Sequence, residues 1–267
     1  MTYVYPVVSR RAGGVSVGIN LSPNNACNWA CNYCQVPNLV RGSAPAIDLI
    51  QLESELRRLL WDILHGDFMR TQVPEGAQRL TDIALSGNGE PTSAKVFSQV
   101  VDRVGNVIAD CGLTGKIKLI LITNGSLVDR PRVQEGLRKM ARLNGEVWFK
   151  VDSATASGMR RINQTLTAPE KHYERLKLSS SLCPTWIQTC VFLMDGHPPD
   201  DAEQAAYLRL AQRIRRENLS VQGVLLYGLA RSPQQPGGER LSALNKIWLD
   251  RFAERIRDAG LPCKVTL

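Results

Sequence analysis

Cys27-Asn28-Trp29-Ala30-Cys31-Asn32-Tyr33-Cys34 places three cysteines within eight residues, in the spacing C-x3-C-x2-C. The stretch follows an apolar run at 15–21 that is typical of a buried strand, so the thiols stand on a loop at the carboxyl end of that strand. Cysteine thiolates hold [4Fe–4S] clusters, and such a cluster normally takes four ligands. Three cysteines without a fourth nearby therefore leave one iron free to bind another molecule.

Composition and charge limit the kind of protein that this chain can be. Its 267 residues are 43% hydrophobic and 22% charged, which is typical of a globular protein. No apolar run approaches the ~20 residues that cross a membrane, and the N-terminus has no signal-peptide pattern, so we expect no membrane contact and a cytoplasmic location. Cysteines are kept reduced there, so the seven in this chain favour metal binding or catalysis over disulfides.

Short β-branched runs alternate with longer helical patterns, which predicts repeated βα units around a parallel sheet. Asp48 and Ser93 are candidate helix N-caps, and Pro131 suits the first turn of a helix. Six parallel strands cannot close an eight-stranded barrel, so we predict an α/β fold, a partial (β/α)6 TIM-like barrel that is open and forms a single domain. The predicted strands are 15–21, 82–86, 117–123, 146–151, 186–193 and 221–227.

The strand pattern also divides the chain. We predict an N-terminal lead-in at 1–14, the barrel at 15–230, and a loop with a C-terminal helix at 231–267 that packs on the barrel. The net charge of +8 permits an acidic partner such as nucleic acid and does not require one.

A glycine-rich loop at 86–92 follows the second predicted strand, and in such folds the active site lies at the carboxyl ends of the strands. Gly87, Asn88 and Gly89 allow the backbone to approach a ligand closely, because two of the three positions lack a Cβ. The carboxylate of Glu90 can accept hydrogen bonds from a ligand ammonium group. A tight strand-to-helix turn explains the same residues without a ligand.

Polar side chains also follow the third and fourth predicted strands. Asn124 and Ser126 either reach a ligand or cap the next helix. The period of a strand puts Lys150 and Asp152 on the same side, where two opposite charges at the end of a buried strand require each other or a ligand. These positions are therefore either structural or part of a binding site.

Further candidates lie near the fifth predicted strand. Gln188, Asp195 and His197 are on or just after it, at the end where the active site is expected, so a substrate-facing role is open for all three. His65 and His172 fall on predicted helices and are expected to be capping or surface residues.

The cysteine loop and the glycine-rich loop together resemble the motifs of the radical S-adenosylmethionine (SAM) superfamily. Tyr33 stands directly before the last cysteine, and Gly87 to Glu90 follow some fifty residues later, in the βα order of that superfamily. The resemblance covers roughly 15–230. The strand ends at 123–125, 150–152 and 227–231 are similar to the branch that contains the wyosine-base synthases of tRNA.

The resemblance implies a [4Fe–4S] cluster on Cys27, Cys31 and Cys34, with the amino and carboxylate groups of SAM on the fourth iron. One electron would cleave the sulfonium to methionine and a 5′-deoxyadenosyl radical, which abstracts a hydrogen atom from a substrate. The implied contacts with SAM are Tyr33 near adenine, Gly87 to Glu90 at the methionyl amino group, and Asn124, Ser126 and Lys150 or Asp152 at ribose or carboxylate.

The chain departs from the wyosine synthases before the first predicted strand. No cysteine lies in 1–14, so we expect neither an N-terminal second cluster nor a flavodoxin-like domain there. An external one-electron donor of flavodoxin or ferredoxin type is therefore implied. No large substrate-recognition domain is expected after Arg231, so the substrate is left open, with RNA among the possibilities.

Two alternatives remain open at this point. The first is a tRNA base-modifying enzyme of wyosine-synthase type, which would bind tRNA in a salt-sensitive way. The second is a non-catalytic iron–sulfur or zinc-binding nucleic-acid protein. Structural zinc sites usually take four ligands with close pairs. The nearest candidate fourth ligand is His65, which fits such a site poorly. The interpretation as a zinc protein also gives the glycine-rich loop no role.

Overall fold

The computed structural model describes residues 1–9 and 13–266. Residues 10–12 of the predicted lead-in and residue 267 lie outside the described residues. Contacts divide the chain into two compact units. The first unit is Met1–Asn28, Gly42–Thr123 and Leu127–Val147, and the second is Trp29–Arg41, Asn124–Ser126 and Trp148–Leu267.

Strands and helices alternate along most of the described chain, as the βα pattern predicts. The strands are β1 (Val4–Ser9), β2 (Gly14–Ile19), β3 (Ala26–Cys27), β4 (Val40–Arg41), β5 (Leu80–Leu85), β6 (Lys118–Thr123), β7 (Gly145–Lys150), β8 (Thr185–Cys190), β9 (Leu193–Met194), β10 (Val221–Tyr227), β11 (Leu241–Ser242) and β12 (Cys263–Thr266). The α-helices are α1 (Leu49–His65), α2 (Phe68–Gln72), α3 (Phe97–Asp110), α4 (Pro131–Arg142), α5 (Ala156–Asn163), α6 (Pro169–Leu182), α7 (Asp201–Arg216) and α8 (Lys246–Asp258). Across residues 1–9 and 13–266, no helix combines the length and the apolar character of a membrane span.

Eight of these strands form one sheet in the order β1-β2-β5-β6-β7-β8-β10-β12. Strand β1 runs antiparallel to β2, whereas the pairs β2–β5, β5–β6, β8–β10 and β10–β12 are parallel. The six predicted strands correspond to β2, β5, β6, β7, β8 and β10, so the predicted α/β class with a mainly parallel sheet is confirmed.

The two outermost strands, β1 and β12, were not predicted from the sequence. Strand β1 contains Pro6, and a proline argues against a strand unless that strand lies at the edge of a sheet. Strand β12 has four residues, which is too short for an alternating pattern to be read. Both are edge strands, where pairing with one neighbour is enough.

Helix α1 begins and ends at residues that give clear local signals. The carboxylate of Asp48 accepts hydrogen bonds from the backbone N–H groups of Ile50 and Gln51, at 2.9 and 3.0 Å, as expected for an N-cap. The helix ends at Gly66, whose N–H donates to the carbonyl of Asp62. The N-terminal boundary follows the prediction. The apolar face of the helix is buried along its length, at Leu52, Leu56, Leu59, Leu60 and Ile63.

The predicted N-cap of helix α3 is wrong. Ser93 lies in a 3₁₀ turn, Pro91–Ser93, and α3 begins four residues later, with Val96 at the N-cap position. The hydroxyl of Ser93 instead accepts a hydrogen bond from the backbone N–H of Ala44, at 2.9 Å. A partner 49 residues away along the chain left no local signal in the sequence.

Two helices of the second unit, α7 and α8, also begin at side-chain caps. The carboxylate of Asp200 accepts from the backbone N–H of Glu203 at the start of α7, and Asn245 accepts from Trp248 at the start of α8. Proline occupies the first helical position of α6, where its missing N–H costs no hydrogen bond. These local signals mark where the three helices begin.

Candidate functional site

The glycine-rich loop of the first unit follows β5 and is held by asparagine side chains. Asn20 Oδ1 accepts hydrogen bonds from the backbone N–H groups of Ser22, at 2.9 Å, and Asn88, at 3.1 Å. The amide of Asn88 donates to Asn25 Oδ1 at 2.7 Å. Gly87 has φ of 135°, a conformation that favours glycine. The loop is therefore fixed against the segment that follows β2.

Gly89 lies directly against the residue before the first cysteine of the loop. A Cβ on Gly89 would lie 2.0 Å from the carbonyl oxygen of Ala26 and 2.6 Å from Ser22 Oγ. The buried hydroxyl of Ser22 has no hydrogen-bond partner among the described residues. The glycine-rich loop is therefore packed against the segment that leads into Cys27, beside a buried hydroxyl that lacks a partner in the described part of the chain.

Glu90 is almost fully buried, at 2% exposure. Its Oε1 accepts from the backbone N–H of Thr92 at 3.1 Å, and from the hydroxyls of Thr92 and Thr123 at 2.6 Å each. Thr123 is the last residue of β6, so two neighbouring strand ends fix the orientation of one carboxylate. The tight-turn interpretation and the ligand interpretation both fit this arrangement.

The three cysteines of the opening stretch carry reduced thiols, and each is partly exposed. Cys27 belongs to the first unit, whereas Cys31 and Cys34 belong to the second, where the N–H of Cys34 donates to the carbonyl of Cys31 at 3.0 Å. Burial raises the pKa of the Cys34 thiol. Within the described ranges, no group of three or more His, Cys, Asp or Glu side chains is arranged to hold one metal ion.

The chemistry of these thiols fits an iron–sulfur cluster. Reduced, partly exposed thiols are the ligands that such a cluster uses. An amide donor already points at one of them, because Asn163 Nδ2 lies 3.2 Å from Cys31 Sγ.

Beside the cysteine loop, the second unit buries a network of charges and hydroxyls. Asp152 accepts hydrogen bonds from the Tyr33 hydroxyl at 2.6 Å, from Asn163 Nδ2 at 2.7 Å and from the N–H of Cys190 at 2.9 Å. Lys150 Nζ lies 3.7 Å from the same carboxylate. The predicted placement of Lys150 and Asp152 on one side of the strand end is thus seen as a buried ion pair.

The electrostatics of this network follow from burial and from the charge of Asp152. Burial, together with the negative charge of Asp152, raises the pKa of Tyr33 well above its usual value. Burial alone would lower the pKa of Lys150, but Asp152 and the Tyr227 hydroxyl, 2.8 Å from Nζ, hold it above its usual value. Lys150 is therefore a permanent cation, and its Nζ also lies 5.0 Å from the centre of the Tyr33 ring.

Asn124 and Ser126 are both buried, at the end of β6. Asn124 Oδ1 accepts from the N–H of Ser126 at 3.0 Å, which is the local turn that the capping interpretation expects. Between them, Gly125 has φ of 70°, and a Cβ there would overlap the ring of Phe149 at 2.1 Å. The turn therefore depends on glycine at this position.

A cavity of about 320 Å³ opens at the carboxyl end of β8 in the second unit. Its walls include Cys190 and Phe192, which pack in one cluster with Tyr33, Cys31 and other apolar side chains. Of the three candidates near this strand, Asp195 and His197 line the cavity, whereas Gln188 is buried and does not. Arg240, which sequence reasoning missed, pairs with Asp195 at the cavity.

The prediction for His172 is wrong. The side chain is buried at 4% exposure, between the rings of Trp29 and Phe149, and its Nε2 lies 2.8 Å from the carbonyl oxygen of Lys150. Burial lowers the pKa of His172 to about 4, so the ring is neutral. The sequence shows only that His172 lies on a helix, whereas the structure shows that it lies on the inner face of α6.

Solved structures with the same fold are radical SAM enzymes. A radical SAM methyltransferase from Sphaerobacter thermophilus matches with TM-score 0.61 and 15% identity, over 98% of this chain and 68% of that one. Archaeal TYW1 matches with TM-score 0.53 and 14% identity, over 91% and 72%. Spore photoproduct lyase complexed with dinucleoside spore photoproduct matches with TM-score 0.57 and 9% identity, over 90% and 74%. This chain has the fold of the radical SAM enzymes, which confirms the predicted fold class and resemblance at that level.

Curated proteins that are similar to this chain include members of the UPF0026 family. The UPF0026 protein slr1464 of Synechocystis sp. (strain ATCC 27184 / PCC 6803 / Kazusa) is 29% identical over 213 residues, 79% of this chain and 71% of the relative. A UPF0026 protein of Helicobacter pylori (strain J99 / ATCC 700824) is 24% identical over 164 residues, 60% of this chain. The match spans 45% of that relative's length. No protein-family model matches the chain.

Proposed function

We propose that this chain is a radical SAM enzyme that holds a [4Fe–4S] cluster on Cys27, Cys31 and Cys34. The observation that carries the proposal is the packing of Gly89 against the carbonyl of Ala26, one residue before Cys27. Two motifs that lie far apart in the sequence thus meet within one unit. The fold that the chain shares with radical SAM enzymes supports the same class of reaction.

The chemistry of the proposal needs a reductant as well as SAM. When bound, the cluster would supply one electron to SAM, which divides into methionine and a 5′-deoxyadenosyl radical that takes a hydrogen atom from the substrate. The electron would come from an external one-electron donor of flavodoxin or ferredoxin type. The protein's own part is to hold SAM and substrate in place and to keep water away.

Several groups of residues would bind SAM in this proposal. Gly87 to Glu90 would receive the methionyl amino group, with the Glu90 carboxylate already oriented by two threonines. The remaining contacts are Tyr33 at adenine, and Asn124, Ser126 and Lys150 or Asp152 at ribose or carboxylate.

We place the substrate in the cavity of about 320 Å³ at the end of β8, because its volume is that of a small-ligand site. Cys190 and Phe192 belong to the same packed cluster as Cys31, so the cavity wall adjoins a proposed cluster ligand. Polar groups stand at the cavity as well, among them Asp195 and His197. This mixture of apolar wall and polar groups suits a small molecule or a single side chain.

Anaerobic reconstitution with iron and sulfide, followed by reduction in the presence of SAM, tests the proposal. We expect visible absorption of an iron–sulfur cluster that fades on reduction, and formation of 5′-deoxyadenosine. Cys31→Ala should lose both, whereas Cys111→Ala, at an equally exposed free thiol outside the loop, should keep both. A colourless wild-type protein, or unchanged 5′-deoxyadenosine formation in Cys31→Ala, would contradict the proposal.

A tRNA base-modifying activity of wyosine-synthase type is the second candidate. It is favoured by the net charge of +8 and by the fold shared with archaeal TYW1. Filter binding to unmodified tRNA should then fall steeply as salt rises. No affinity at low salt would remove this candidate and leave the small-ligand proposal in place.

A further inference from the structure

The last turn of helix α5 holds the cysteine loop from one side. The carbonyl of Asn163 accepts from the N–H of Ala30 at 3.3 Å, and the carbonyl of Ile162 accepts from the N–H of Asn32 at 2.9 Å. The amide of Asn32 donates to the carbonyl of Arg161 at 3.3 Å. The last carbonyls of a helix lack partners within the helix, so this loop satisfies groups that would otherwise stay unpaired. The residues on both sides of Cys31 are thereby fixed.

The side chain of Asn163 then reaches the sulfur itself. Its Nδ2 lies 3.2 Å from Cys31 Sγ and 2.7 Å from Asp152 Oδ2, and the residue is 1% exposed. A primary amide has two N–H donors, so one proton can serve the sulfur and the other the carboxylate.

Asp152 decides which end of this amide faces the sulfur. A carboxylate accepts hydrogen bonds and repels the oxygen of an amide, so the nitrogen must point toward Asp152. Because the same nitrogen lies beside Cys31, the amide cannot turn its oxygen to the sulfur without losing a charge-assisted bond. Asp152 is itself fixed by the Tyr33 hydroxyl and by the N–H of Cys190.

We infer that Asn163 is a positioning residue that raises the reduction potential of the cluster by donating a hydrogen bond to Cys31 Sγ. The inference rests on the proposed function, since it requires Cys31 to be a ligand. Reduction adds one negative charge to the cluster, and an N–H donor at a ligand sulfur stabilises the more negative state. Hydrogen bonds to sulfur are among the features that set the potentials of such clusters.

The test is the midpoint potential of the reconstituted protein, measured without SAM by a redox titration followed by electron paramagnetic resonance. Asn163→Leu keeps the side-chain shape and removes both donors. We expect its potential to be lower, by up to about tenfold in the one-electron equilibrium constant, or about 59 mV. Asn32→Leu is the matched control, because this neighbouring amide bonds to a backbone carbonyl and not to a sulfur. Its potential should equal that of the wild type.

The outcomes separate this inference from the proposed function. An unchanged potential in Asn163→Leu, at full iron content, would overturn the inference and leave the cluster in place. An equal drop in Asn32→Leu would also overturn it, because general loosening of the loop would then be the cause. If leucine prevents cluster assembly, Asn163→Ser, whose hydroxyl is too short to reach the sulfur, should show the same lower potential. Failure of the wild type to assemble a cluster would instead overturn the proposed function.

Discussion

The glycine-rich loop of the first unit and the charged network of the second unit are built by opposite means, although both follow strand ends. The loop requires a residue without a side chain at position 89, because a Cβ on Gly89 would have no room beside the carbonyl of Ala26. The network requires two charged side chains, because buried Lys150 and Asp152 neutralise each other. The loop should therefore be sensitive to added volume, and the network to a lost charge.

Removing the carboxylate at the centre of the network should have the largest effect. Asp152→Ala leaves the Lys150 cation without its anion and the Tyr33 hydroxyl without its acceptor, in a site where the Asp152 side chain is 0% exposed. Breaking a buried ion pair from one side costs about 3–5 kcal/mol of unfolding free energy. Denaturant unfolding of the two proteins measures this difference.

Asp195→Ala is the matched control for the loss of the Asp152 carboxylate. Asp195 also pairs with a cation, Arg240, but the two side chains are 51% and 58% exposed. An exposed ion pair adds little to stability, so the variant should unfold close to the wild type. Equal losses in Asp152→Ala and Asp195→Ala would mean that burial does not make the network sensitive to charge.

A change of pH should act on the second unit through His172. Burial lowers its pKa from 6.5 to about 4, so between these values the unfolded chain binds more protons than the folded one. The contribution of neutral His172 to the unfolding free energy is complete above the pKa of histidine in the unfolded chain, and it falls as the pH is lowered toward about 4. The loss reaches about 3 kcal/mol, at about 1.36 kcal/mol for each pKa unit.

The measurement is unfolding free energy against pH in the wild type and in His172→Phe, which keeps an aromatic ring between Trp29 and Phe149. We expect the variant to show a flatter slope between about pH 4 and pH 6.5. The groups that face His172 besides these rings are the carbonyl of Lys150 and the charges of Arg175 and Asp152. An unchanged slope would assign the pH dependence to other groups.

Those features of the fold and the site that depend on neighbouring residues can be predicted from the sequence. Patterns within a few residues predict the strand positions, the N-cap of α1, the glycine-rich loop and the placement of Lys150 with Asp152. The contacts between buried side chains could not be predicted from the sequence, because the partners are far apart along the chain. Asn163 and Cys31 are separated by 132 residues, and Tyr33 and Asp152 by 119. His172 was misplaced for the same reason, since its burial depends on Trp29, far away in the chain. Only folding brings such partners together.

Adding a single methyl group should disturb the loop of the first unit. Gly89→Ala puts a Cβ 2.0 Å from the Ala26 carbonyl, so the segment before Cys27 must move. We expect a loss of about 1–3 kcal/mol in unfolding free energy, the usual cost of overpacking, and weaker SAM binding by calorimetry. Gly228→Ala is the control, because a Cβ there meets nothing closer than 3.7 Å. If both variants behaved alike, the close approach at Gly89 would have no consequence.

Shortening a side chain of the same loop should have the smallest effect. Asn88→Ala removes the hydrogen bond from Nδ2 to Asn25, 2.7 Å long, but keeps the backbone N–H of residue 88 on Asn20 Oδ1. One partly buried hydrogen bond contributes about 0.5–1.5 kcal/mol to the unfolding free energy, and we expect a loss in that range. SAM affinity should change little, because residue 88 is proposed to approach SAM through its backbone, which the substitution keeps in place.

Comparing Asn88→Ala with Gly89→Ala decides whether backbone or side chains position the loop. The two substitutions are adjacent and produce the same residue type, so they differ in whether volume is removed or added. A larger loss of SAM affinity in Gly89→Ala means that the close backbone approach fixes the loop. A larger loss in Asn88→Ala would mean that the loop is positioned by a side chain, as the network around Asp152 is, and the contrast between the two units would fail.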